Sequence, residues 1–325
     1  MMQLIPYTTE RKTMWDCFIK QSRNATFLFY RDYMEYHQSR FEDGSLLFLN
    51  ERGACCGLLP CNLLPHEATI VSHGGLTYGG LLLAKKTSAE EVRDMLRSTA
   101  DYYIAKGYKQ LIYKPIPYIY HRYSTQEELY WLFRAKGQLI SRALSSTISL
   151  TDPLAFSELR RRKVKKAYKN ALAMHEGNEQ MLVDFWNLLT ATLKFYHQVA
   201  PVHNIDEILR LRSLFPKEIS AFCVYEGEQL VAGTLLYIAG QTVHAQYIAA
   251  SERGRMEGAL DFLFDQLIEK YRNEGKTYFD FGISTEQQGA ILNQGLLFQK
   301  EGFGGRGVCY DAYSVELKNL CTYLF

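Results

Sequence analysis

The residues of this chain whose types and spacing can do chemistry lie mostly in its second half, and most of them handle negative charge. Arg253, Gly254, Arg255, Met256, Glu257 and Gly258 follow a strongly apolar strand and open a helix. Free N–H groups at a helix N-terminus and two guanidinium groups can hold a phosphate or pyrophosphate there, although a solvated turn would use the same residues. Residues 160–169 read RRRKVKKAYK, and on a helix Arg162, Lys165, Lys166 and Lys169 share one face at three- and four-residue steps. Such a face suits a nucleotide-linked substrate, an RNA backbone or an acidic membrane surface, and it needs no ligand if it is simply solvated. The sequence around it has no strong apolar stripe, which argues against the membrane. Lys300 and Arg306 flank Glu301-Gly302-Phe303-Gly304-Gly305, where glycines let a backbone approach a substrate while the cations hold its charge.

Proton-transfer candidates are fewer. His203 stands before Asn204-Ile205-Asp206-Glu207, whose Asn-x-x-Glu spacing is that of a helix capping box. A histidine at a helix entrance titrates near neutrality if solvent reaches it; a plain loop histidine is the other reading. His244 and Gln246 alternate with Ala245 on a strand, so both point to one face, with Tyr247 on the other. His244 is then a base, a substrate hydrogen-bonder or a satisfied core histidine. Asp280 lies between Phe279 and Phe281 and requires a partner if buried, with Lys300 and Arg306 as candidates. In the first half, Tyr118 belongs to a stiff aromatic loop, 113–120, able to wall a ligand cleft or merely to cover the core.

Other chemistries are disfavoured. There is no Ser-His-Asp order, P-loop, dinucleotide fingerprint or credible metal cluster, so hydride and phosphoryl transfer rank low and no metal is expected. The seven cysteines form an odd set without paired ligand spacing, which fits a reducing compartment better than a disulfide framework. A formal charge of +2 is too small for a general binder of DNA or RNA. The N-terminus has no basic start followed by an apolar run, so a cytoplasmic protein is expected. The uncharged stretch 229–251 is long enough to suggest a membrane span, but Ala239-Gly240-Gln241 divides it into a buried hairpin; no integral membrane segment is expected.

The elements that must position these residues form a degenerate repeat. In the first copy, the period of Val92, Met95, Leu96, Tyr103 and Ile104 predicts a helix over 88–105, broken by Gly107. A strand over 108–114, a helix over 125–136, the break at Gly137 and a strand over 139–150 follow. The second copy runs in the same order: a helix over 257–273 with Leu260, Leu263, Phe264, Leu267 and Tyr271 on one face, Gly275, a strand over 277–281, a helix over 290–300, Gly302, and a strand over 307–317. Antiparallel-type strands precede each copy; a helix over 9–21 opens the first half, and a basic helix after Thr151-Asp152-Pro153, then a longer one over 179–197, open the second. An α+β fold in tandem is implied, with domains at 1–150 and 151–325 meeting at the Asp152-Pro153 turn.

This order resembles the tandem acyltransferase fold of the FemAB-like peptidyltransferases and their relatives in the GNAT superfamily. The most specific stretches are HAQYIAASERGRMEGALDFLFDQLIEKYRNEGKTYFDFGIST and NQGLLFQKEGFGG. The resemblance implies two GNAT-like domains, each a mixed sheet flanked by helices, with the main transfer site in the second and substrates entering between the halves. It implies an acyl donor, either acyl-CoA or aminoacyl-tRNA, and an amine acceptor on a small molecule or a peptidoglycan or polysaccharide precursor. Arg255 and Gly258 match the first two fixed places of the GNAT pyrophosphate motif, whereas Leu260 stands where Gly or Ala is usual. Lys300 matches the lysine before the family's Phe-Gly element, suited to an acceptor phosphate. Direct acyl transfer would follow, with His203, His244 or a water relay taking the amine proton. Two other functions compete: a non-catalytic module binding phosphate-bearing ligands through Arg253, Arg255, Lys300 and Arg306, and RNA binding through the basic helix.

Overall fold

The structure is a computed structural model that describes residues 2–324. Two compact units emerge: Met1–Ala143 with Glu286–Ile291 and Cys309–Phe325, and Leu144–Thr285 with Leu292–Val308.

In the second unit the strands run in the order Leu172–Glu176, Ile219–Glu226, Gln229–Ala239, Thr242–Ala250, Tyr278–Ile283 and the end of Gln138–Ser149. Neighbours are antiparallel except Thr242–Ala250 and Tyr278–Ile283, which are parallel and joined through the helix Ala259–Asn273. Such a crossover is what a parallel pair requires. The helix buries Leu263, Phe264, Leu267 and Tyr271 against Phe222, Phe279 and Phe281, the face set by its apolar period. Each such side chain stabilises by about 1.5–3 kcal/mol. Helix Glu179–His197 covers the sheet near Gly233, where a Cβ would meet the Phe185 ring at 2.5 Å. Its buried side chains are Leu182, Phe185, Trp186 and Leu189.

The first unit repeats the plan. Thr69–Val71 and Gln110–Tyr113 are its parallel pair, and helix Ala89–Ile104 is the crossover, with Ser88 and Glu91 closing a capping box at its start. Val92, Met95, Leu96, Ala100 and Tyr103 form its buried face. A second small sheet holds Gln3–Pro6, Leu46–Leu49, Cys55–Leu59 and Leu82–Leu83. The last strand, Arg306–Glu316, pairs through Tyr313–Glu316 with Gln110–Tyr113.

Contiguous halves at 1–150 and 151–325 therefore differ from the units that pack. Strand Gln138–Ser149 passes into the second unit after Ala143, where Ser145–Ser149 pair with the strand Tyr278–Ile283. Arg306–Glu316 returns the chain to the first unit after Val308. The strand after helix Glu127–Arg134 of the first unit completes the second, and the strand after helix Gln294–Gly302 of the second completes the first.

Two breakers also act elsewhere than expected. The helix over 257–273 is two helices, Glu252–Glu257 and Ala259–Asn273, because Gly258 takes φ +75° between them. Gly302 lies in the last turn of helix Gln294–Gly302, and Gly304, at φ +91°, makes the turn instead.

Candidate functional site

The site begins with two strands that part company. Among the described residues, Thr242–Ala250 and Tyr278–Ile283 pair only through Thr242–Tyr278, Val243–Phe279 and His244–Asp280. Gly282, at φ +74°, turns the second strand away, a conformation few side chains tolerate. Beyond this point Ile248, Ala249 and Ala250 on one strand and Phe281 on the other line a cleft of about 530 Å³ within the second unit. A cleft at a strand divergence offers backbone hydrogen-bonding groups that no neighbouring strand uses.

Its charge is positive. Arg160, Lys163, Arg255 and Lys300 line it against the single carboxylate of Asp261. The Arg160 Nη1 donates to Asp261 Oδ1 at 2.7 Å, with both residues buried. Burial raises the Asp261 pKa, opposed by the charges of Arg160 and Lys163. The Arg160 guanidinium lies 5.4 Å from the centre of the Phe303 ring, and its Nε is buried without a hydrogen-bond partner. Gly302 permits this position, because a Cβ there would stand 3.1 Å from Arg160 Cγ. Lys300 is 4% exposed, and its Nζ donates to the carbonyls of Gly282 and Ile283 at 2.8 Å each. Desolvation pulls its pKa from 10.5 to about 8, with Asp280 acting in the opposite sense. At the start of helix Ala259–Asn273 the N-cap is Gly258, and the Asp261 carboxylate takes a first-turn backbone N–H.

The acid–base candidates form two pairs, and none of their members lines the cleft. Asp280 is fully buried; Oδ1 accepts from Ser145 Oγ at 2.5 Å and Thr147 Oγ1 at 2.8 Å, and Oδ2 is 2.7 Å from His244 Nδ1. The expected partners Lys300 and Arg306 are thus replaced by a histidine and two hydroxyls, because strand register puts His244 and Thr147 directly beside Asp280. His203 Nδ1 and the Tyr247 hydroxyl are 2.7 Å apart. The Asn204–Glu207 capping box is present, and His203 is buried just before it. Burial raises the Tyr247 pKa.

Strict alternation does not hold around Gln246. Leu235 faces Tyr247 while Leu236 faces Ala245, so Gln246 is the extra residue of a β-bulge. A side-chain hydrogen bond joins Gln246 to Tyr247 instead of the two pointing apart.

The turn at 253–258 is only partly a ligand site. Arg255 lines the cleft, with its guanidinium 4.0 Å from the centre of the Tyr196 ring. Arg253 is turned to Glu226 and Glu257, whose carboxylates raise its pKa. Glu257 is buried and also holds Lys166 and Asn170, so it ties the turn to the basic helix. Met256 is exposed and its carbonyl accepts from Lys166. Ser251 caps the short helix by accepting from Gly254 N. The glycines serve packing: a Cβ on Gly254 would stand 2.1 Å from the Val231 carbonyl oxygen, and one on Gly258 3.0 Å from that of Lys163. Arg306 is exposed, bonded to the carbonyl of Gly305, and not among the lining residues. Tyr118 belongs to the first unit, on a half-exposed turn.

Sequence reasoning missed Arg160, Lys163 and Asp261. The signal was present in helix Glu158–Lys169, where Arg160, Val164 and Ala167 repeat as a buried stripe that carries Arg160 inward. The face named from the sequence, Arg162, Lys165, Lys166 and Lys169, is exposed.

Residues 158–288 match the family model described as an acetyltransferase (GNAT) domain. No curated protein sequence matches the chain. Among solved structures, FemX superposes with a TM-score of 0.71 at 13% identity, covering 98% of this chain and 99% of that one. The C-terminal domain of a putative lysylphosphatidylglycerol synthetase from Agrobacterium fabrum gives 0.57 at 12% identity, covering 97% and 94%. A tandem GNAT protein from the clavulanic acid biosynthesis pathway gives 0.50 at 9% identity, covering 98% and 99%. The chain has the fold of FemX and of the tandem GNAT protein.

Proposed function

We propose that this protein is an N-acyltransferase whose second unit, Leu144–Thr285 with Leu292–Val308, is the GNAT-like domain that transfers an acyl or aminoacyl group to an amine. The observation that carries the reading is the cationic cleft where Thr242–Ala250 and Tyr278–Ile283 diverge. Acyl-CoA is the donor we favour, with aminoacyl-tRNA as the other class, and the acceptor is an amine on a small molecule or a peptidoglycan or polysaccharide precursor. The donor supplies an activated acyl carbonyl.

Arg160, Lys163 and Arg255 would hold the donor's phosphates. Residues 245–250 offer their free strand edge to the acyl chain and carbonyl. The Lys300 ammonium has three N–H groups and spends two on Gly282 and Ile283, leaving one for an oxygen that gains negative charge. Holding such an oxygen in a poorly solvated site is usually worth about 10²–10³ in rate. His244 and Asp280 then position: a Cβ on Gly282 would stand 3.2 Å from His244 Cε1, so the imidazole lies against the turn that carries both carbonyls. As the amine nitrogen bonds to the acyl carbon, the donor's carbon–sulfur bond (carbon–oxygen for aminoacyl-tRNA) breaks and the departing thiol or hydroxyl takes a proton from water, while the amine proton leaves through water with His203 or His244 as its distant acceptor.

The test is product formation from acyl-CoA and aminoacyl-tRNA panels, each offered amino-sugar and peptide amines. Turnover with one donor class, and a raised donor KM in Arg255→Ala, are expected. Saturable nucleotide binding without turnover on any pair would leave a phosphate-binding module in place of an enzyme.

A further inference from the structure

Beside the cleft the protein exposes a set of apolar side chains. Phe195 is 78% exposed and Val202 79%, and Tyr196, Val199 and Met256 are about half exposed. Tyr196 and Met256 adjoin the cleft, and Val199 and Val202 lie in the segment that follows helix Glu179–His197. Thr192 and Leu193 line the cleft, and the same helix runs on to Phe195 and Tyr196, whose rings meet edge to face at 4.8 Å. Arg255 lies over Tyr196, and Met256 is the next residue. Lys166 donates to the Met256 carbonyl at 2.9 Å, which joins this apolar rim to the exposed face formed by Arg162, Lys165, Lys166 and Lys169.

A cluster of exposed aliphatic and aromatic side chains beside a row of cations is the chemistry of a surface that lies on an anionic bilayer: the apolar residues enter the headgroup boundary and the cations meet lipid phosphates. RNA would use the cations, but Val199, Val202 and Met256 offer it nothing. No helix among the described residues is long and apolar enough to cross a membrane, so contact of this kind is peripheral.

We infer that the cleft rim formed by Phe195, Val199, Val202 and Met256 with the basic face of helix Glu158–Lys169 docks this protein on anionic lipid, turning the cleft mouth toward the membrane. This does not depend on the transfer reaction. If the proposed function is also correct, amines displayed at a lipid surface are the natural acceptors.

The test is flotation of the full chain with phosphatidylcholine vesicles and with vesicles that also contain phosphatidylglycerol, at low and physiological salt. Binding only to the anionic vesicles, weakened by salt, is expected. Arg162→Gln with Lys169→Gln removes two cations, each a surface contact, and should weaken binding about tenfold or more. Phe195→Ser with Val202→Ser should weaken binding at high salt as well, where charge is screened. Both double variants should melt like the parent and, if the protein is an acyltransferase, turn over a soluble acceptor equally well. Failure to float with anionic vesicles at low salt, flotation that neither double variant reduces, or RNA binding that only the charge variant abolishes while vesicle binding stays unchanged would overturn the inference. Loss of soluble turnover with vesicle binding intact would count against the reaction alone.

Discussion

Lys300 is the residue on which the proposed chemistry turns, and its environment makes the idea measurable. Its working form is charged, and burial has lowered its pKa to about 8. Activity should therefore fall as pH rises through about 8, on top of the rise that follows deprotonation of the acceptor amine. In Lys300→Met the fall at high pH should vanish and kcat should drop about 10²-fold, as pH–rate profiles of both proteins would reveal. A second buried group, Glu128 in the first unit, tests the electrostatics away from the site. It has one carboxylate oxygen without a partner, and burial pushes its pKa from 4.5 up to about 8. Below pH 4.5 the group is protonated in both folded and unfolded chains and costs nothing. Between 4.5 and 8 the unfolded chain gains by ionising and the folded one does not, so stability is lost as pH rises. Glu128→Gln should then raise Tm relative to the parent at pH 7, by a stability difference of about 3 kcal/mol, and the difference should shrink toward zero near pH 4. Thermal melts across that range decide it. At this scale the sequence announced that Asp280 needed a partner, but not that strand register would supply His244 and Thr147.

At the scale of elements, the basic helix and the crossover helix are clamped by one buried ion pair, Arg160–Asp261. Arg160→Met alone strands a buried carboxylate and should cost about 3–5 kcal/mol. Adding Asp261→Leu should restore most of that stability while the donor KM stays high, a split that chemical denaturation and steady-state kinetics can measure together. A donor KM that recovered with stability would limit Arg160 to packing. The repeat sharpens this assignment to one unit. Leu132-Phe133-Arg134-Ala135-Lys136-Gly137 matches Leu297-Phe298-Gln299-Lys300-Glu301-Gly302 place for place, and the first copy has a buried Ala135 where the second has Lys300. The helical periods and most breakers were legible because amphipathic spacing is local. The bulge at Gln246 and the break at Gly258 were not, since the first is set by the register of the neighbouring strand Gln229–Ala239 and the second by packing on Lys163, far along the chain.

At the scale of the molecule, the chain crosses between its units along Gln138–Ser149 and Arg306–Glu316. A fragment ending at 150 therefore lacks Val315, Leu317, Leu320 and Leu324, all buried in the core built on Val92, Met95 and Leu96. At about 1.5–3 kcal/mol each, these four side chains amount to about 6–12 kcal/mol, comparable to the whole stability of a domain. The fragment 1–150 should show no cooperative thermal transition by circular dichroism; a sharp melt would mean that the first unit folds without its last strand and helix.

Composition, apolar period and turn residues by themselves determined the kind and order of the elements, their tandem repetition and the cluster of seven cations at 160–169, because each depends on residues within a few turns of one another. Which cations besides Arg160 face the cleft, which groups hydrogen-bond Asp280, and that Met256 meets Lys166 while Arg255 meets Tyr196 were decided only in the tertiary structure. Those outcomes depend on strand register, on one residue inserted into a ladder and on the crossing of helices, and none of these leaves a local trace in the chain.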